Sequence, residues 1–379
     1  MLETLEGEAI ARFPRALLED WLRDYYFEVD VDISGSGVED YSFGELRRLL
    51  GIDQEDLDRV VFHDSRSLGG DGLRAALAAR FTGGRAERVM ATHGSTEATF
   101  LIMNALLSPG DEVIVATPGY QQLASTAEPI GCRLVRWPLR FENGFRPDLG
   151  ELRRLLTPRT RLVVANFPHN PTGVTVSPAE QAELVKAVAR NGAWLLWDNA
   201  FQTLTYDAPP LPEATEMYER ALSMCTLSKA YGLPGLRVGW CLAADPSVLQ
   251  KMVQVRDYLT LSLSPLVELV AERAIRGADR LLAPRLEQAR RNLGRVTTWL
   301  EEHGDRVEWV RPGGGVTVFP RLRGVADVEA LCHRLARESR VLLAPGTCFE
   351  LDGHVRLGFG GATENVLRGV EALGEALGR

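Results

Sequence analysis

Seven short apolar runs, each separated from the next by a stretch long enough for a helix or a loop, constrain this chain more than any other feature. They are Arg88–Thr92, Glu112–Thr117, Arg133–Trp137, Arg161–Asn166, Trp194–Asp198, Ala221–Leu227 and Val238–Ala243. Most are hydrophobic throughout instead of alternating, as strands buried on both faces of a sheet must be. Helical signals lie between them. The clearest is Ser177-Pro178-Ala179-Glu180, a capping box with proline at the first helical position. It predicts a helix running to about Arg190 and stopping at Asn191-Gly192. Alternating strands and helices predict an α/β domain around a mainly parallel sheet.

The pattern changes after about residue 255. A long helical region, Pro265–His303, precedes shorter strands at Val307–Val310, Val316–Pro320, Val341–Leu343 and His354–Phe359. Further helices are expected at Val325–Ser339 and Thr363–Leu377. We therefore expect a large domain over 46–260 and a smaller C-terminal α+β domain over 261–379. Residues 1–45 lack a sheet pattern and are expected to pack on the smaller domain.

With 51 acidic against 43 basic residues the chain carries a formal charge of -8. It shows no basic stripe, which argues against a nucleic-acid partner. No apolar run approaches the ~20 residues of a membrane span. The opening MLETLEGEAIARF is acidic and lacks the apolar core of a signal peptide. The cysteines (Cys132, Cys225, Cys241, Cys332 and Cys348) are odd in number, scattered and never paired as C-x-x-C. We read them as reduced thiols in a cytoplasmic protein, with no metal site.

Lys186, Lys229 and Lys251 are the only lysines. Lys186 falls within the capped helix and Lys251 in a polar helical stretch. Lys229 alone sits where a strand end meets a loop, the place where open α/β sheets bind ligands. Its surroundings read Thr226-Leu227-Ser228-Lys229-Ala230-Tyr231-Gly232-Leu233-Pro234-Gly235-Leu236-Arg237-Val238-Gly239. A desolvated lysine in such a turn is uncharged enough to form an imine. Upstream, His93-Gly94-Ser95-Thr96-Glu97-Ala98 follows a strand and opens a helix, where backbone N–H groups make an anion site.

These motifs resemble, in order and over most of the chain, the pyridoxal-phosphate enzymes of the aspartate-aminotransferase fold, fold type I. The resemblance implies an α/β architecture with a seven-stranded, mainly parallel sheet, and pyridoxal 5'-phosphate as cofactor. Lys229 would carry the cofactor as an imine. Arg237, Thr226 and the Gly94-Ser95-Thr96 turn would hold its phosphate. Tyr120, in Thr117-Pro118-Gly119-Tyr120, matches the aromatic residue stacked on the pyridine ring. Asn170, in Asn166-Phe167-Pro168-His169-Asn170-Pro171-Thr172-Gly173, would bond the phenolic oxygen. Asp198 would keep the pyridine nitrogen protonated, which makes the ring an electron sink. Arg356, in His354-Val355-Arg356-Leu357-Gly358-Phe359, would grip a substrate α-carboxylate. The resemblance also implies a homodimer acting on a small amino acid.

Three departures stand out. Phe201 occupies the place of a tyrosine that donates to the cofactor oxygen in many members. Phe62-His63-Asp64-Ser65-Arg66-Ser67 lacks the tyrosine that reaches the neighbouring subunit's phosphate. No arginine lies between Asp257 and Leu263, where dicarboxylate-specific members place a side-chain clamp. The N-terminal stretches Leu18-Glu19-Asp20-Trp21-Leu22-Arg23-Asp24-Tyr25-Tyr26-Phe27 and Asp32-Ile33-Ser34-Gly35-Ser36-Gly37-Val38-Glu39-Asp40-Tyr41-Ser42 resemble the capreomycidine synthase group, cyclases of peptide-antibiotic and streptothricin-type pathways. That implies a lyase-type cyclisation of 3-hydroxy-arginine, with Gly37 at the substrate and Glu39 and Asp40 on its guanidinium. An aminotransferase for a neutral or basic amino acid stays open as the alternative. A cofactor-binding transcription regulator does not fit, because no segment is long or basic enough for a DNA-binding module.

Overall fold

The computed structural model describes residues 13–378. The opening residues 1–12, on which most of the signal-peptide reading falls, lie outside the described residues. Seven strands form the central sheet: β1 Val89–Thr92, β2 Glu112–Thr117, β3 Arg133–Pro138, β4 Thr160–Asn166, β5 Trp194–Asp198, β6 Ala221–Thr226 and β7 Gly239–Ala243. Their spatial order is β1-β7-β6-β5-β4-β2-β3. The pairs from β6 through to β3 are parallel, while β7 runs antiparallel to both β6 and β1. Each strand lies within a residue or so of its expected place. The expected α/β class is what the chain adopts.

Two-sided burial explains why the runs are apolar throughout. Val113, Val115, Leu162, Val164 and Leu196 enter one core with Leu101, Ile102 and Met252. Their neighbours Ile114, Val163, Ala165, Leu195 and Trp197 enter another with Leu184 and Val188. Successive side chains point to opposite faces, and both faces are covered. The edge strand β3 is only partly covered, and it carries two arginines, Arg133 and Arg136, both exposed. The capped helix runs Pro178–Asn191, with both halves of the capping box formed and Gly192 at φ 82° behind it.

Differences from expectation fall mainly after residue 255. The long helical region is two helices, Pro265–Arg276 and Ala278–Glu302, broken at Gly277. A Cβ there would stand 2.5 Å from Leu50 Cδ2 and 3.2 Å from the Arg273 carbonyl, so any larger residue would make the Leu50 side chain of helix Phe43–Leu50 shift. The expected helix over 325–339 is α-helical only for Val328–Arg334 and then widens into a π turn, Leu335–Ser339. A three-stranded antiparallel sheet joins Thr317–Val318, Val355–Gly358 and Ala344–Pro345.

The N-terminal stretch, which has no strand pattern of its own, still contributes one: Val31–Asp32 pairs in parallel with Val341–Leu342. A two-residue strand is too short to leave a periodicity. Helix Leu17–Tyr25 precedes it and buries Leu18, Trp21 and Tyr25. Trp21 donates its indole N–H to the Leu343 carbonyl at 2.8 Å, and Tyr25 Oη lies 2.6 Å from His333 Nδ1. No helix among the described residues is long and apolar enough to cross a membrane.

Trp21 joins a large apolar surface to one buried hydrogen bond, so Trp21→Ala should destabilise the chain by about 3–5 kcal/mol. Equilibrium denaturant unfolding measures this. A change below about 1 kcal/mol would show that the N-terminal helix is not held through this side chain.

Candidate active site

Parallel strands β2, β4, β5 and β6 all end at one edge of the sheet, so the loops that leave them converge there. Because β7 is antiparallel, it begins at that same edge. Register makes this explicit: Asn166 pairs with Asp198, and Gly239 lies opposite both Thr226 and Thr92. Thus Asn166–Asn170, Asp198, Thr226–Lys229, Arg237 and the Gly94 turn share one edge although 143 positions separate Gly94 from Arg237.

The anion cradle is built from both directions. Helix Gly94–Leu106 starts directly behind β1, with Gly94 at φ 72°. A Cβ on Gly94 would stand 2.9 Å from Arg237 Nη2, so the guanidinium lies against the turn. Gly239 has the same role from the other side, where a Cβ would meet the Gly94 carbonyl carbon at 2.5 Å and Ser95 N at 2.7 Å. Thr226 Oγ1 donates to the Val238 carbonyl at 3.1 Å and lies 3.0 Å from Ser228 Oγ, whose hydroxyl can donate to it. Arg237 Nη1 donates to the Pro234 carbonyl at 3.0 Å and to Ser228 Oγ at 3.4 Å. Thr96, at the helix start, donates its hydroxyl to Gln122 Oε1. Helix N–H groups, hydroxyls and an arginine together suit a phosphate.

Asp198 ends β5, buried, and accepts from the Ala200 N–H at 2.9 Å. Desolvation pushes its carboxyl up to about 6, against the opposing pull of that N–H and of the Lys229 charge. Lys229 Nζ donates to Ser36 Oγ at 3.1 Å. Desolvation lowers its amine to about 8, with the Arg356 and Arg237 charges acting the same way and Glu19 and Asp198 acting against. Arg356 is buried, donates to the Ser34 carbonyl at 2.8 Å and to Asn170 Oδ1 at 3.2 Å, and sits over the Phe349 ring. No carboxylate of the described residues pairs with it within ion-pair distance, so a carboxylate ligand would satisfy it.

Of the other expected residues, Tyr120 donates its hydroxyl to Glu19 Oε1 at 3.0 Å, and desolvation raises its phenol above the ordinary range. Gly37 packs on the lysine loop: a Cβ there would stand 3.3 Å from the Ser228 carbonyl, and the next N–H, of Val38, donates to the Lys229 carbonyl. Glu39 is engaged elsewhere, accepting from Arg285 Nη1 at 3.2 Å and Gln288 Nε2 at 2.6 Å. Asp40 is exposed, and its carboxyl is raised by desolvation, with the Arg285 and Lys229 charges opposing and the Glu39 charge adding. Phe201 is buried without any hydroxyl to offer. Sequence reasoning did not single out Ser36, Ser228, Glu19 or Gly239. Ser228 lies inside the lysine motif and could have been found there; Ser36 and Glu19 are local to nothing in that motif.

The family model for aminotransferase class I and II matches residues 66–373. This chain belongs to that family. Capreomycidine synthase of Streptomyces vinaceus is 50% identical to it over 98% of this chain and 96% of the relative. Arginine–pyruvate transaminase of Pseudomonas aeruginosa is 31% identical, over 78% and 74% respectively. Among solved structures, the PLP-dependent cyclase OrfR superposes with a TM-score of 0.91 at 42% identity, covering 99% of both chains. A PLP-dependent aminotransferase from Streptococcus suis gives 0.92 at 31% identity, over 97% of this chain and 99% of that one.

Pyridoxal 5'-phosphate is the cofactor of this chain, and the residues present fit it. A buried carboxylate held by one backbone N–H still lacks the cationic donor that a protonated pyridine nitrogen supplies. The Gly94 turn admits no side chain where Arg237 and the helix start face each other. The lysine amine stands where an aldehyde can be captured as an imine.

The Asp198 shift gives a pH test on the cofactor-free chain. A carboxyl at about 6 when folded, against an ordinary 3.8, holds its proton to higher pH than the unfolded chain does. Between pH ~4 and ~6 the folded state binds more protons, so stability falls as pH rises. Asp198→Asn removes this slope and should gain on the parent by up to about 3 kcal/mol across the window. Denaturant midpoints of the two cofactor-free proteins against pH measure it, and parallel profiles would rule out the buried, singly bonded carboxylate.

Proposed function

We infer that this chain is a pyridoxal-phosphate-dependent cyclase that converts 3-hydroxy-arginine to capreomycidine in antibiotic biosynthesis. The observation that carries the reading is the contact between Lys229 and Ser36. It sets the stretch of sequence that resembles the cyclase group, 32–42, against the reactive lysine as one wall of its site. The full-length similarity to a capreomycidine synthase supports the same reading over the aminotransferase alternative.

Bound pyridoxal phosphate supplies the electron sink for the pair released when the α-proton leaves. Lys229, with its amine near neutrality, takes that proton and later returns one at the same carbon. Asp198 holds the proton on the pyridine nitrogen. Arg356, steadied by Asn170 and the Ser34 carbonyl, takes the substrate α-carboxylate. The β-hydroxyl of the substrate departs as water, and its guanidine nitrogen then bonds to the β-carbon, so nitrogen is retained and one water is lost. The guanidinium needs negative charge nearby. Glu39 offers it only by sharing with Arg285 and Gln288, whereas the charges of Asp40 and Glu19 act on Lys229 directly. Gly94, Ser95, Thr96, Thr226 and Arg237 would hold the cofactor's phosphate, Tyr120 its ring and Asn170 its phenolic oxygen.

We further propose a homodimer. In support, Val61, Phe62, Tyr258, Leu259 and Leu261 are large apolar residues left in solvent, with Phe62 76% and Tyr258 94% exposed. Residues 46–260 serve as the cofactor domain and 261–379 as the smaller domain, on which the described part of the N-terminal segment, 13–45, packs. Free thiols suit a cytoplasmic location.

Incubation with 3-hydroxy-arginine should yield, by mass spectrometry, a product that has lost one water and kept every nitrogen. A keto acid would instead establish the transaminase. Lys229→Ala should abolish turnover, and borohydride reduction of the holoenzyme followed by peptide mapping should label Lys229; a label on Lys186 or Lys251 removes it from its role. Removing charge with Asp40→Asn or Glu19→Gln should weaken arginine-like substrates by about 1.5–3 kcal/mol relative to neutral amino acids. An unchanged ratio of activities would move the guanidinium elsewhere. Light scattering should give twice the chain mass, and a fully active monomer would exclude the dimer.

A further inference from the structure

Behind the anion cradle lies a buried ion pair that the reaction does not use. Helix Gly94–Leu106 begins at His93, whose side chain makes no capping hydrogen bond. Glu97, one turn in, reaches back instead: its Oε2 accepts from the His93 N–H at 2.5 Å and lies 3.3 Å from His93 Nδ1. The same oxygen faces Arg256 Nη2 at 3.3 Å, and Thr260 donates its hydroxyl to Oε1. Glu97 is 6% exposed and Arg256 0%. Arg256 spends its other donors on the backbone: Nη1 bonds the Ala91 carbonyl at 2.8 Å and the Ser67 carbonyl at 2.6 Å, and Nε bonds Thr260 Oγ1 at 3.3 Å.

One pair therefore grips both sides of the turn, the end of β1 at Ala91 and the start of the helix at His93. Directly after His93, and before Glu97, the chain adopts φ 72° at Gly94, a conformation with little intrinsic preference for aiming its next amides one way. Taking two charges out of water is unfavourable unless hydrogen bonds satisfy them, and here both are satisfied almost wholly by that turn and its neighbours. A bare carboxylate so close to an anion site would also repel the anion; Arg256 neutralises it.

We propose that Glu97 and Arg256 are positioning residues of the phosphate cradle, holding the His93–Gly94 turn so that its amides meet the cofactor phosphate. This rests on the reading of Gly94–Thr96 and Arg237 as the phosphate site. The pair acts through the turn, so its effect is specific to the phosphorylated cofactor and not to the aldehyde or ring.

The test titrates the full cofactor-free chain with pyridoxal 5'-phosphate and, separately, with pyridoxal, reading the absorbance of the lysine-bound form. Glu97→Gln keeps the shape and removes the charge; Thr260→Val removes one donor to it; Arg256→Lys keeps a cation. Glu97→Gln should reduce the preference for the phosphorylated form by about tenfold to a hundredfold, with pyridoxal binding unchanged. Thr260→Val should reduce it less, and Arg256→Lys should retain more of it than Arg256→Met. Arg237→Ala is the reference: if it leaves the preference intact, the phosphate site itself lies elsewhere and that reading fails first. If Arg237→Ala lowers the preference while the pair's variants weaken both ligands equally, or only lower the melting temperature, the pair supports the fold and nothing more. Thr260→Val and Arg256→Lys carry the same test should Glu97→Gln fail to fold.

Discussion

A carboxylate and an amine, both stripped of water at one edge of an apolar sheet, set the terms for the rest of this structure. Asp198 is driven toward neutrality and Lys229 is driven the same way from the other side of the scale. Neither shift serves a folded chain on its own account, since burying ionisable groups opposes folding. Both suit a ligand that brings a cationic ring nitrogen for one and an electrophilic carbon for the other. The hydrophobic runs that build the sheet are thus also what makes its edge reactive.

The single reversed strand completes that edge. If β7 ran parallel to its neighbours, Arg237 and Gly239 would begin at the far end of the sheet. Reversal puts the guanidinium against Gly94 and the lysine loop within one tight crossing, Leu227 to Val238, whose ends are joined by the Leu227 N–H to Val238 carbonyl bond. The anion cradle is consequently shared between two strand ends and one helix start, none of which could form it alone. The opposite wall has another origin. Ser34, Ser36 and Gly37 come from the amino end, while Arg356 and Phe349 come from the last hundred residues.

This division explains what could be read in advance. Strands β1, β2 and β4 to β7 were legible because burial on both faces suppresses polar residues, and the edge strand β3 because Leu134, Val135 and Trp137 keep it apolar between its arginines. Lys229, Asp198, Asn170 and Arg237 were legible because each lies in a local motif at a strand end. Ser36 and Glu19 were not, because their relevance exists only through contact with residues about 100 or more positions away. Glu39 shows the converse: its charge beside Gly37 suggested a substrate contact, while its partners Arg285 and Gln288 lie in a helix that no local pattern connects to it. The break at Gly277 was hidden because glycine there answers to Leu50, not to its own helix.

The pairing of Val31–Asp32 with Val341–Leu342 has a consequence in time. A chain is made from its amino end, and this strand must wait for a partner about 310 residues downstream. At ribosomal rates the interval is roughly 15–60 s. The sheet, with Lys229 and Asp198 on its edge, is complete well before that, and its contacts are mostly between neighbours in sequence. The strand Val31–Asp32, made about 310 residues ahead of its partner, is thus among the last of the described elements to pair.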